Sequence, residues 1–168
     1  MTKWSFSNAF WTPTAVAAGS TQTANGACFL QGGSTTQLLL ISELYMGGEA
    51  GASSVNAMTL SRDSTVAATA ITLGTNGKNA SLDPFAAALA APQAPGFSAT
   101  TMPQASATLQ LLALSFNSFG GIVRWVAYPT EEIKVYGTAV NVGEVSLSCS
   151  SLTGTPGAIS DHIIYEPS

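Results

Sequence analysis

The sequence has few charged residues. Charged side chains make up 8% of its 168 residues, whereas ordinary globular domains carry about 25%. The five basic residues are scattered along the chain, at Lys3, Arg62, Lys78, Arg124 and Lys134. A surface that binds nucleic acid needs a basic stripe that follows the phosphates. The composition therefore disfavours nucleic acid as a partner.

The residues from which enzymes build active sites are also scarce. The chain has one histidine, His162, and two cysteines, Cys28 and Cys149. They are too few and too far apart for a local zinc signature, and no G-x-S-x-G motif occurs. Asp161 precedes His162, but neighbouring side chains of a strand point to opposite faces. We therefore expect no catalytic residues, no metal and no cofactor, so that the protein is not an enzyme.

Long apolar segments are missing as well. The longest apolar runs fall far short of the roughly 20 residues that span a bilayer, so we expect no membrane association. No apolar segment follows Lys3, and we predict no signal peptide. The chain is then made in a cytoplasm, where Cys28 and Cys149 are expected to stay reduced and unbridged.

Hydrophobic residues nevertheless make up 46% of the sequence, enough to build a core. Because few charges remain for the surface, that surface consists mainly of small neutral side chains. A neutral surface is typical of a subunit that packs against copies of itself or against an assembly. An extracellular β-domain with a neutral surface is the alternative.

Most of the chain has the pattern of short strands. Apolar residues run continuously or alternate with polar ones in residues 35–45, 54–61, 122–128, 132–136, 144–150 and 159–165. Residues 108–116 are apolar on both faces, and we expect both faces to be covered. About eight to ten strands with frequent turn residues predict an all-β fold, an antiparallel sandwich or barrel.

Residues 79–103 differ from this pattern. Asp83 and Pro84 are typical of a helix start, and alanine-rich residues 85–91 follow them. We predict a long loop with one short helix.

The first 33 residues allow two interpretations. Trp4, Phe6, Phe10 and Trp11 lie within the first eleven residues, and a weakly periodic stretch follows them. The segment is either an N-terminal arm that attaches to a partner or the first strand of the domain, with Trp4 and Phe6 on one face. Residues 34–168 are predicted to form a single β domain.

The C-terminal third resembles the end of small virion proteins of tailed bacteriophages. The segments that carry the resemblance are residues 124–127, 132–135, 143–148, 154–157 and 162–166. More loosely, the whole chain is similar to the jelly-roll head-decoration, or cement, proteins of such phages. The resemblance implies a β-sandwich subunit, often a homotrimer, that binds the major capsid protein on the virion surface and reaches its neighbours with an N-terminal arm.

These observations lead to the hypothesis of a non-enzymatic capsid decoration protein. The residues expected to attach to the capsid are Trp4, Phe6, Phe10 and Trp11. The residues expected near the contact between copies are Trp125, Tyr128, Lys134 and Tyr136. A tail, baseplate or fibre subunit and a carbohydrate-binding β-sandwich are the alternatives.

Overall fold

The computed structural model describes residues 2–11, 14–15, 26–30, 38–63, 77–86, 105–136, 145–151 and 157–168. These residues form eleven strands and no helix. The strands are β1 (Trp4–Trp11), β2 (Thr14–Ala15), β3 (Gly26–Leu30), β4 (Leu38–Gly48), β5 (Val55–Asp63), β6 (Gly77–Ser81), β7 (Ala105–Asn117), β8 (Ile122–Val126), β9 (Ile133–Tyr136), β10 (Val145–Ser151) and β11 (Ile159–Pro167). The all-β, antiparallel part of the predicted fold is confirmed.

The strands form two sheets. Sheet A has the order β6-β1-β11-β4, and β8 and β9 pair one after the other along the remaining side of β4. Sheet B has the order β10-β5-β7, and β2 and β3 both pair with β10. Every described pair is antiparallel except that of β2 with β10.

Apolar side chains from both sheets form one core. The largest fully buried side chains of sheet A are Phe6, Leu39, Ile41, Leu44, Met46, Ile159 and Tyr165, and those of sheet B are Met58 and Leu60. Residues of one strand reach the same face only at alternate positions. The core therefore follows the period-two pattern of the sequence.

A β-bulge in β4 changes which positions of that strand face the core. Leu39 and Ile41 are buried before it, and Leu44 and Met46 are buried after it. Ser42 is skipped in the pairing with β11, because Ile41 pairs with Tyr165 and Glu43 with Ile164. One extra residue shifts the alternation by one position.

The first strand lies inside sheet A. β1 pairs with β11 on one side and with β6 on the other, and Phe6 is buried in the core. Trp4 is partly buried and packs against the same core. Trp4–Trp11 are thus part of the sheet, as in the strand interpretation of the N-terminal segment.

Residues 79–103 contain the clearest local difference from expectation. Residues 79–81 belong to β6, so the predicted loop begins inside a strand. Asp83 begins a turn rather than a described helix, because its backbone carbonyl accepts a hydrogen bond from the backbone N–H of Ala86 at 3.1 Å. Residues 87–103 of the predicted helix and loop lie outside the described residues.

The prediction that other parts of the protein cover both faces of β7 is also wrong in part. Leu112, Leu114 and Phe116 face the core, but Leu109 and Leu111 are exposed. β7 is the last strand of sheet B, and no described element covers its outer face. Strand periodicity identified the two faces correctly, but it carries no information on whether the second one is covered.

The loops at one end of the sheets are joined by backbone hydrogen bonds. Gly48 donates to Gly121 O, Ala50 to Ser118 O and Ser118 to Ser54 O, each at 2.9 Å. A Cβ on Gly48 would overlap the backbone of Ser118. This close approach requires glycine at position 48.

Candidate functional site

A polar cluster lies on the outer face of sheet A. Glu43 and Tyr45 follow the bulge in β4 and therefore point away from the core. The register places Tyr45 between Arg124 of β8 and His162 of β11. These four residues form the outer-face cluster, and they come together only because β8 and β11 flank β4.

One carboxylate oxygen organises the outer-face cluster. Glu43 Oε2 accepts a hydrogen bond from Tyr45 Oη at 2.5 Å and another from Arg124 Nη2 at 2.7 Å. The Arg124 guanidinium also lies over the Tyr45 ring, 4.9 Å from its centroid. Glu43 has 18% of its side chain exposed and Arg124 has 54%. The ion pair therefore has an inner carboxylate and an outer, accessible guanidinium.

These contacts reinforce the ordinary charge states of Glu43 and Tyr45. The hydrogen bond from Tyr45 and that from Arg124 hold the pKa of the Glu43 carboxyl below its ordinary value. The same hydrogen bond to Glu43 raises the pKa of Tyr45. At neutral pH the carboxylate is ionised and the phenol is protonated. Because the Glu43 carboxylate already accepts two hydrogen bonds, it stays ionised and is poorly suited to take up and release a proton.

His162 packs edge-on against the Tyr45 ring, with 5.8 Å between the ring centroids. Burial lowers the pKa of His162, and the nearby Glu43 carboxylate opposes this effect. Asp161 is buried on the other face of β11, 3% exposed. The two neighbours thus face opposite sides of the strand, as the sequence predicts, and Asp161 cannot orient the imidazole as in a catalytic triad.

Two structural findings bear on metals and membranes. Within the described ranges, no group of three or more His, Cys, Asp or Glu residues could hold a metal ion. The same residues include no helix that is long and apolar enough to cross a membrane.

An exposed, mostly apolar row of side chains lies beside the outer-face cluster. Alternate residues of β8 and its extension point outward: Ile122, 79% exposed, Arg124, Val126, 47% exposed, and Tyr128, 77% exposed. We call these four residues the β8 stripe. β8 is the last strand of sheet A on this side. Exposed apolar residues on an edge strand are the pattern that natural proteins usually avoid unless the edge pairs with a partner.

A second exposed apolar feature lies at the opposite edge of sheet A. Ser81, the last residue of β6, and residues 82–86 form a hydrogen-bonded turn, which we call the Phe85 turn. Phe85 is 94% exposed and Leu82 is 53% exposed. A phenylalanine with almost its whole side chain in solvent is a strong candidate for an interface residue.

The four residues predicted to attach to a capsid do not form one exposed surface. Phe6 is fully buried, so its side chain has no surface for a partner. Trp4 is partly buried against the core. Phe10 and Trp11 belong to β1, but their side chains lie outside the described part of the structure. β1 lies between two other strands of sheet A, and the period of two along β1 places Phe6 on the face of the sheet that packs against the core.

The four residues predicted near a contact between copies also differ in how exposed their side chains are. The Trp125 side chain packs against the core. Tyr128 is exposed on the β8 stripe, while Lys134 and the 44% exposed Tyr136 are exposed on β9. Three of the four side chains are therefore accessible.

Ile122, Val126 and Phe85 were not singled out from the sequence. A signal for the first two existed: Arg124 lies midway between them, and a charged residue on an edge strand marks the outward face. No comparable signal existed for Phe85, because the Asp-Pro start and the alanines after it favoured a helix.

Comparison with known proteins finds no match. No family model matches the chain, and neither does any curated protein or solved structure.

Proposed function

We propose that the chain is a non-enzymatic structural subunit of a tailed-phage virion, a jelly-roll β-sandwich that decorates and stabilises the capsid. The observation that carries this proposal is the order of the strands in the two sheets. The exposed apolar edges of sheet A support it.

The strand order agrees with a jelly roll. Such a fold results when a long antiparallel hairpin rolls up, so that successive pairs of strands alternate between two sheets. Here β1 pairs with β11, and β4 with β8 and β9, in sheet A. β3 pairs with β10, and β5 with β7, in sheet B. Among the described strands, two are additional to this scheme: β6, which is inserted between β5 and β7, and the two-residue β2, which pairs with β10 in parallel.

The surface supports an assembly role. The chain has nine acidic and five basic residues, so few surface charges oppose close packing of neutral faces. The proposed partners are the major capsid protein and other copies of this chain, most simply as a homotrimer. An interface of the standard size, about 1,600 Å², becomes strong when several copies bind one lattice at once. The chain is then made in the host cytoplasm and located on the virion surface.

The test uses virions from the phage that encodes the chain. We expect density-purified particles to contain the chain in a fixed ratio to the major capsid protein, and antibodies against it to label the heads in electron micrographs. Labelling of tails or baseplates would instead identify another virion subunit. Absence of the chain from the particles would refute the proposal.

A carbohydrate-binding module is the second candidate, and the outer-face cluster favours it. Sugar sites combine planar polar groups with aromatic rings, and Glu43, Arg124 and Tyr45 combine these beside the exposed Tyr128. Binding of the purified chain to a glycan array, with loss of that binding in Arg124→Ala, would favour this candidate.

A further inference from the structure

We propose that copies of this chain associate head to tail, with the Phe85 turn of one copy docked on the β8 stripe of the next. This inference rests on the self-association within the proposed function and does not require the capsid. It follows from two exposed apolar features on opposite edges of one sheet.

The Phe85 turn is held in place by hydrogen bonds. Ser81 Oγ accepts from Asp83 N at 3.1 Å, and Asp83 Oδ1 accepts from Phe85 N at 2.9 Å. Leu82 N donates to Lys3 O at 2.9 Å, which ties the turn to the start of β1. Phe85 is therefore presented on a fixed turn, and docking it has a small entropic cost.

The β8 stripe, like the Phe85 turn, is held in place by the fold. Its outward side chains lie on a regular strand, and the inward neighbours Val123 and Trp125 pack against the core. The stripe is thus a supported surface rather than a loose loop. The docked partner would cover Ile122 and Val126, whose exposure on an edge strand is otherwise unfavourable.

The two features cannot meet within one copy. β6 and β8 lie at opposite ends of sheet A. Four inter-strand spacings separate them, which is about 19 Å. The Phe85 turn can therefore reach only the β8 stripe of another copy.

Charge complementarity favours the same pairing. The turn carries Asp83, which is exposed, directly before Pro84 and Phe85. The β8 stripe carries Arg124, whose guanidinium has further donors besides the one bound to Glu43. A carboxylate beside the docking phenylalanine can therefore bind the one positive group in the stripe.

The geometry also limits the form of the assembly. The contact joins two different surfaces, so it is heterologous, and such contacts produce closed rings or open filaments. A phenylalanine contributes about 150–250 Å² of contact surface, which makes Phe85 the expected anchor of each contact.

The first test measures self-association of the full chain by light scattering and sedimentation over a range of concentrations. We expect Phe85→Ser, and separately the double variant Ile122→Ser/Val126→Ser, to weaken association about thirty-fold or more, the effect of losing an interface anchor. Leu109→Ser is the matched control, because Leu109 is 42% exposed on a strand of the other sheet. A monomeric wild type, or unchanged association in Phe85→Ser, would overturn the inference.

The second test mixes the two interface variants. The Phe85→Ser copy keeps an intact stripe, and the double variant keeps an intact turn, so one contact can form between them. Native mass spectrometry should show a one-to-one heterodimer that grows no further, while each variant alone is monomeric. Failure to form this heterodimer would exclude the head-to-tail arrangement. Because no capsid is present, this result is independent of the virion test.

Discussion

Two identical substitutions, Phe6→Ala and Phe85→Ala, separate the core role of one phenylalanine from the surface role of the other. Phe6 is 0% exposed and Phe85 is 94% exposed. Truncating a buried phenylalanine removes apolar contacts and leaves a cavity, which together destabilise a protein by about 3–5 kcal/mol. An exposed substitution usually changes stability by no more than about 0.5 kcal/mol. We therefore expect a large loss of stability at position 6 and almost none at position 85.

The magnitude is large enough to measure directly. Whole domains are stable by about 5–15 kcal/mol, so Phe6→Ala should remove a substantial fraction of the free energy of unfolding. For a chain of this size, about 2–4 °C of Tm per kcal/mol predicts that Phe6→Ala lowers Tm by roughly 6–20 °C.

The assay is urea unfolding followed by circular dichroism, at a dilution where the chain is monomeric so that association does not contribute to stability. The Phe85→Ala variant is the control for the effect of removing a phenyl ring from the unfolded chain. A Phe6→Ala variant as stable as the wild type would refute the placement of β1 within sheet A. The aromatic N-terminal segment would then again be a candidate for attachment.

Three further predictions concern other parts of the chain. Gly48→Ala should destabilise the protein by about 1–3 kcal/mol, because the new methyl group overlaps the backbone of Ser118 in the turn after β7. Gly51→Ala should be nearly neutral, because nothing lies near its Cβ, and thermal unfolding compares the two variants. Burial holds the pKa of His162 below its ordinary value of 6.5, so the unfolded chain binds more protons, and stability should fall as pH drops through and below that value. His162→Asn should remove this part of the pH dependence, and an unchanged slope in urea unfolding between pH 7.5 and 5.5 would contradict the assignment. Cys28 and Cys149 should both react with a thiol reagent under denaturing, non-reducing conditions, since the register places Cys28 opposite Leu147 rather than opposite the second cysteine. Detection of no reactive thiol in the chain would show a bridge between the two cysteines.

Much of the all-β fold could be read from local patterns. The period of two predicted that Asp161 and His162 of β11 point to opposite faces of the strand, and the structure confirms it. This succeeds because a strand has a fixed period of two, so the residues that share a face are known once the strand is recognised. The same periodicity does not show whether a strand lies at the centre or the edge of a sheet.

The outer-face cluster shows why the rest could not be predicted. Glu43 and Arg124 are 81 residues apart along the chain, and they meet only because β4 pairs with β8. The bulge at Ser42 then decides that Glu43 points outward. Neither the pairing nor the bulge has a local sequence signal, because both result from the packing of distant strands.

The sequence by itself determined that this chain has a strand-rich core, few charges and little material for catalysis, because composition and period two are properties of the chain alone. Tertiary structure decided that Phe6 is buried and that Phe85 and the β8 stripe are exposed at opposite edges of sheet A. The physical reason is that burial depends on which strands become neighbours, and these contacts join segments that are far apart in the sequence.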